Sequence, residues 1–207
     1  MLVLSHRGYW LNKDEHNTAI AFKRSFDLNF GTETDLRDYG SKIVIAHDIP
    51  NGNEIIFEDL LDIMANRNLW LALNIKSNGL GTAILDILKK YNHTNYFTFD
   101  MALPDLIAQM SKNICAFTGL SDIQTIAPLL NEASGVWLDS FTQDWFDSDL
   151  LDNILQSSKK LCIVSAELHK RPPNYQWQII KKCKYLQSKN LMICTDKPQE
   201  AEDFFND

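Results

Sequence analysis

The chain has 207 residues, is 45% hydrophobic and 23% charged, and carries a net charge of −7. That length supports one sizeable core, and a single domain over 1–207 is expected. The acidic balance excludes a general nucleic-acid binder, which needs clustered Lys and Arg against phosphates, and no apolar run approaches the ~18 residues of a membrane span.

The opening MLVLSHRG has four apolar residues before His6, too few for a signal-peptide core, so a cytoplasmic setting is expected. The run around residue 3 (LVLS) reads as a first strand, and NTAIAFKRSFDLN as a helix with Ile20, Phe22, Phe26 and Leu28 roughly on one side. GTETD at 31 is a second strand. DYGSK turns the chain into an extra strand, KIVIAHD (42–48), and the pair predicts a hairpin. The spacing then alternates: helix FEDLLDIMANR, strand LALNI, helix GTAILDILKKY, strand YFTF, helix PDLIAQMSK, strand ICAF, helix DIQTIAPLLNEA. It continues with strand GVWL, helix DLLDNILQSS, strand LCIVS, helix WQIIKKCKYLQ, strand LMIC and a closing helix PQEAEDFF, whose Pro198 suits a first helical position.

Apolar strands alternating with helices argue for a parallel sheet covered by helices. Eight units predict an α/β fold of the (β/α)8 TIM-barrel class. A doubly wound open sheet is the alternative, weakened because no Gly-rich phosphate loop follows any strand. Cys115, Cys162, Cys183 and Cys194 lack CxxC spacing, and three lie in apolar runs, so buried structural thiols are expected.

In this fold class functional groups stand at the C-terminal ends of strands. Strand one ends in Ser5-His6-Arg7-Gly8, strand two in Glu33-Thr34-Asp35, and LALNI in Asn74-Ile75-Lys76. Alternation puts Glu33 and Asp35 on one face, and likewise Asn74 and Lys76. Two neighbouring carboxylates repel unless a cation lies between them or one is protonated. Oxygen donors from Glu, Asp and Asn suit Mg²⁺ or Ca²⁺. Alone, ExD could be a charged, half-exposed strand, and Arg7 could simply pair with it. His6 at strand one and His47 just downstream favour a site. His16, His93 and His169 read as surface or loop residues. Tyr9, Trp10, Trp137 and Trp145 read as packing groups. Asp100, Asp139, Glu167 and Asp196 stand at later strand ends with no assigned role.

HRGYW, HNTAIAF, GTETD and IVIAHD, in that order, resemble the glycerophosphodiester phosphodiesterase family, whose pattern runs His-Arg-Gly, Pro-Glu-Asn-Thr with Ala-Phe, Glu-x-Asp, then His-Asp. LALNIKS, YFTFDMALPDLI and MICTDKPQEA are similar to later family segments, so the likeness covers the chain in outline. The resemblance implies a divalent-metal-dependent hydrolase of a glycerophosphodiester or related small phosphodiester. It implies His6 and His47 as the acid–base pair, Glu33, Asp35 and Asn74 as metal ligands, and Arg7 and Lys76 as phosphate-binding cations. It also implies attack by the substrate's own adjacent hydroxyl, through a cyclic phosphate.

The sequence departs from the family pattern in three places. Asn74 stands where the family has a carboxylate, which lowers the ligand charge from −3 to −2. His16 replaces a glutamate before Asn-Thr. Only IPNGNEII separates His47 from the next helix, where the family carries a longer covering insertion, so an open site is expected. These departures motivate a second reading, a non-catalytic protein that binds a phosphorylated ligand.

Overall fold

A computed structural model describes residues 1–206. Among the described residues there are nine strands: β1 (Leu2–His6), β2 (Gly31–Tyr39), β3 (Lys42–Ile45), β4 (Leu71–Ile75), β5 (Tyr96–Phe99), β6 (Phe117–Leu120), β7 (Gly135–Leu138), β8 (Lys160–Val164) and β9 (Leu191–Thr195). The helices are α1 (Ala19–Asp27), α2 (Phe57–Met64), α3 (Gly81–Lys90), α4 (Leu103–Ser111), α5 (Ser148–Gln156), α6 (Asn174–Lys181) and α7 (Pro198–Asn206). Eight parallel strands, each but β6 followed by a helix before the next of them, give the (β/α)8 TIM-barrel class, and antiparallel β3 is the extra strand.

The chain divides into two compact units, 5–116 and 1–4 with 117 onward. In the first unit, β4 runs parallel to both β2 and β5. One face of this sheet carries Leu36, Leu71, Leu73 and Ile75, which pack with Phe22 and Phe26 of α1, Leu60 and Met64 of α2 and Ile84 of α3. Each fully buried aliphatic or Phe side chain contributes about 1.5–3 kcal/mol by leaving water. The opposite face is set by register. Glu33 pairs with Ala72, and Asp35 with Asn74, so the two carboxylates and the amide share the face turned away from that helical core.

β2 is longer than the sequence suggests. It runs past Asp35 to Tyr39 because Leu36–Tyr39 pair with β3 in the hairpin predicted from DYGSK. The pairing of Tyr39 with Lys42 leaves a two-residue loop, and Gly40 there has φ +61, a conformation that glycine adopts without penalty. Glu33 and Asp35 therefore lie mid-strand, but at the level where β4 ends.

In the second unit, β6, β7, β8 and β9 are parallel neighbours over a core that includes Val136, Leu138, Leu161, Ile163, Trp177, Ile180 and Phe205. Two expectations fail here. The strand expected at ICAF starts later, at Phe117, because Ile114 closes the end of α4 by donating from its N–H to the Gln109 carbonyl. No helix forms over DIQTIAPLLNEA. Pro128 supplies no N–H, Leu129 has φ +53, and Ile123 and Ile126 are exposed rather than forming an apolar stripe. Ser121 Oγ instead accepts from the Ile123 and Gln124 N–H groups and organises a turn. A third expectation needs correction in α1: its buried face is Ala21, Phe22, Ser25 and Phe26, while Ile20 and Leu28 are exposed.

Three cysteines are buried, Cys115 is half-buried, and all four are free thiols, as expected. Among the described residues no helix is long and apolar enough to cross a membrane.

Candidate functional site

The His-Arg-Gly turn after β1 is held by backbone bonds. Arg7 donates its N–H to the Glu33 carbonyl (3.0 Å), and its own carbonyl accepts from the Asn17 N–H (2.9 Å). Arg7 has φ +58, a strained setting for a branched-free but bulky residue, and the one that aims its guanidinium back at β2. Gly8 follows at φ +83. A Cβ there would lie 2.7 Å from the Ala21 Cβ, so only glycine lets the turn sit on α1.

Asp35 is the hub. It is fully buried, with Oδ2 3.0 Å from Arg7 Nε and accepting from Asn17 Nδ2 (3.0 Å), and Oδ1 3.4 Å from Lys76 Nζ. The Arg7 contact is an ion pair that is not aligned as a hydrogen bond. Lys76 is placed by its own N–H, which donates to the Leu36 carbonyl. Glu33 lies two residues back, with Oε2 3.8 Å from His6 Nε2. Burial, then the neighbouring Asp35 charge, push the Glu33 carboxyl up to about 7, against the pull of His6, Arg7 and Lys76. The pairing of Arg7 with Asp35 raised from the sequence is therefore real, and it coexists with a second carboxyl that the available cations do not fully compensate.

Three oxygens on this face, Glu33 Oε2, Asp35 Oδ1 and Asn74 Oδ1, are buried and accept no hydrogen bond. Such groups carry a desolvation cost of about 1–3 kcal/mol each, more when charged. Among the described residues no group of three or more His, Cys, Asp or Glu is gathered to hold a metal ion. The donor set present is two carboxylates and one amide. Orphaned hard oxygens of this kind fit a divalent cation such as Mg²⁺ or Ca²⁺.

His6, Arg7, Glu33, Asp35 and Lys76 are thus brought into one cluster, with Asn74 beside Asp35 by register. The His47 ring pairs with Asp48 rather than with Glu33 or Asp35. It is half-exposed and Nδ1 is 2.9 Å from Asp48 Oδ1, while the His47 carbonyl accepts from Arg37 Nε and Nη2. It lines a cleft of about 470 Å³ whose other walls include Arg7, His16, Asn17, Asp48 and Glu54. The short IPNGNEII segment forms much of that wall, with its first residue, Ile49, exposed.

Some site residues were not singled out from the sequence. Asn17, at φ +57, bonds Asp35 and also accepts from Thr34 Oγ1 (2.9 Å). Its signal was the Asn-Thr pair of HNTAIAF. His16 is not a plain surface residue: its ring lies 4.4 Å edge-on from Trp10 and 6.2 Å from His6. His93 lies in the loop between α3 and β5, as the loop reading allows, but is buried and contacts the Asn95 carbonyl at 3.1 Å; His169 is half-buried, with Nε2 2.6 Å from Asp139 Oδ1. The aromatics do pack: Tyr9 lies edge-on to Phe30, Trp137 is buried, and Trp145 meets Phe146 while donating to the Asp139 carbonyl.

No family model matches the sequence, and no curated protein does. Solved structures do. A glycerophosphodiester phosphodiesterase from Parabacteroides distasonis is 15% identical, with TM-score 0.67 over 99% of this chain and 96% of its own. An Oleispira antarctica phosphodiesterase, solved with its product sn-glycerol-3-phosphate, is 14% identical, with TM-score 0.71 over 100% and 97%. A glycerophosphodiester phosphodiesterase from Agrobacterium tumefaciens is 11% identical, with TM-score 0.68 over the full length of both. At these identities the likeness establishes the shared fold.

Proposed function

We propose that the protein is a divalent-metal-dependent hydrolase of a glycerophosphodiester or a related small phosphodiester. The observation that carries this reading is the set of three buried, unbonded oxygens of Glu33, Asp35 and Asn74 beside Arg7, Lys76 and His6. The fold shared with three phosphodiesterases, one holding a glycerol phosphate product, supports the substrate class.

Glu33, Asp35 and Asn74 would hold a Mg²⁺ or Ca²⁺ ion. Once bound, it would polarise a non-bridging phosphate oxygen and offset the charge developing there. Arg7 and Lys76, anchored on Asp35, present their remaining N–H groups to the phosphate. His6 and His47 exchange the protons. One imidazole takes the proton of the attacking hydroxyl as its oxygen bonds to phosphorus. The other gives a proton to the alkoxide that leaves as the P–O bond breaks. The cleft walled by His47 and Arg7 is wide enough for a small phosphodiester and its alcohol. The net charge of −7 disfavours nucleic acid as substrate, and four free thiols suit a reducing, cytoplasmic setting.

A second reading is a non-catalytic binder of a phosphorylated ligand, favoured by the uncharged Asn74 and by a His47 ring turned to Asp48. The two separate in one experiment. Glycerophosphodiesters and an aryl phosphodiester are incubated with Mg²⁺, Ca²⁺ or Mn²⁺, and then with chelator. Turnover that stops on chelation supports the hydrolase. Binding of glycerol phosphate without turnover under any of the metals supports the binder.

A further inference from the structure

We propose that Asp100 is the positioning residue that turns the Asn74 amide so that its Oδ1 serves as the third oxygen of the cation site. The inference rests on the metal-site reading above and extends it to a residue outside the ligand set. Asn74 Nδ2 donates to Asp100 Oδ2 at 3.3 Å, while Asn74 Oδ1 is buried and accepts nothing. A carboxylate oxygen accepts and the amide nitrogen is the atom that faces it, so the amide oxygen is directed away from Asp100. A glutamate or aspartate at 74 would need no such control, since either carboxylate oxygen can coordinate. An amide has one oxygen, and a flip would present N–H groups to a cation.

The backbone shows how Asp100 reaches this position. In the parallel register of β4 and β5, Asn74 pairs with Phe99. Strict alternation would send the next side chain to the opposite face. Asp100 instead has φ +64, an uncommon conformation for a residue with a Cβ, although Asp tolerates it better than most. That left-handed residue ends β5 and brings the carboxylate back to Asn74. Arg7, Asn17 and Asp100 are three positive-φ residues whose side chains all contact Asp35 or Asn74. Strain of this kind persists where the surrounding structure holds it and concentrates at functional sites.

The test is Mn²⁺ affinity measured by calorimetry on the full chain, with Mg²⁺ and Ca²⁺ alongside. Asp100→Gly accepts the left-handed backbone and removes the acceptor, and the melting temperature without metal reports that the fold is kept. It is expected to weaken Mn²⁺ binding about 10–100-fold, the usual effect of losing a partner that orients a ligand. Asp100→Asn, whose amide oxygen still accepts from Asn74, should lose less. In an Asn74→Asp background, where no amide needs orienting and the two carboxylates repel, Asp100→Gly should cause no comparable loss. Unchanged affinity in Asp100→Gly would overturn the proposal. So would an equal loss in both backgrounds, which would make Asp100 a direct electrostatic contributor. Failure of the unmutated protein to take up Mn²⁺, Mg²⁺ or Ca²⁺ would instead remove the metal-site reading itself.

Discussion

Replacing Glu33 with Gln should reshape the pH dependence of stability in the metal-free protein. Glu33 is buried, and its carboxyl is pushed up to about 7 from an ordinary 4.5, by burial first and the Asp35 charge second. Between those two values the folded protein keeps a proton that the unfolded chain has released. Native stability therefore falls as pH rises through this window, and the loss is complete above about pH 7. At about 1.4 kcal/mol per pH unit the loss is about 3 kcal/mol, net of the attraction to His6, Arg7 and Lys76. Gln carries no such proton. The stability difference between Glu33→Gln and the unmutated protein should thus move by about 3 kcal/mol in favour of the variant between pH 4.5 and pH 8. Urea unfolding in the presence of chelator at several pH values measures it. Parallel stability curves for the two proteins across that range would refute the reasoning, because they would mean that Glu33 titrates alike folded and unfolded.

Other substitutions probe the proposed chemistry. His6→Ala and His47→Ala should each lower phosphodiester turnover by roughly 10²–10⁴-fold, with urea midpoints close to the parent's. Normal turnover in the double variant would remove the acid–base assignment. Asn74→Glu adds a carboxylate where an amide now stands, so calorimetry at fixed pH should show tighter Mg²⁺ and Ca²⁺ binding, and no change would take residue 74 out of the ligand set.

The parallel strands were legible because they are short apolar runs between helical stretches, and the Gly40 hairpin because its turn needs a left-handed glycine. Two elements were hidden for physical reasons. Thr118 and Gly119 make β6 look like a turn, while Ile114, which looks like strand, belongs to the end of α4. The segment around Pro128 has helical spacing but cannot complete a helical bond ladder there. At the site, alternation put Glu33 and Asp35 on one face and the end of strand one put His6 and Arg7 nearby, but alternation alone could not tell that face from a charged, half-exposed strand; the roles came from the resemblance. Asn17 and Asp100 were not readable, because they reach Asp35 and Asn74 only through positive-φ backbone, which no periodicity reports. The pairing of His169 with Asp139 was hidden by sequence distance, the two residues being 30 positions apart.

The most direct measurement is a crystal grown with excess Mn²⁺ and glycerol 3-phosphate, examined for anomalous scattering. The account predicts one strong peak within coordination distance of Glu33, Asp35 and Asn74 oxygens, with the phosphate beside it and the His6 imidazole within reach. An anomalous map with no peak between those three side chains, in a crystal that binds the phosphate, would contradict it.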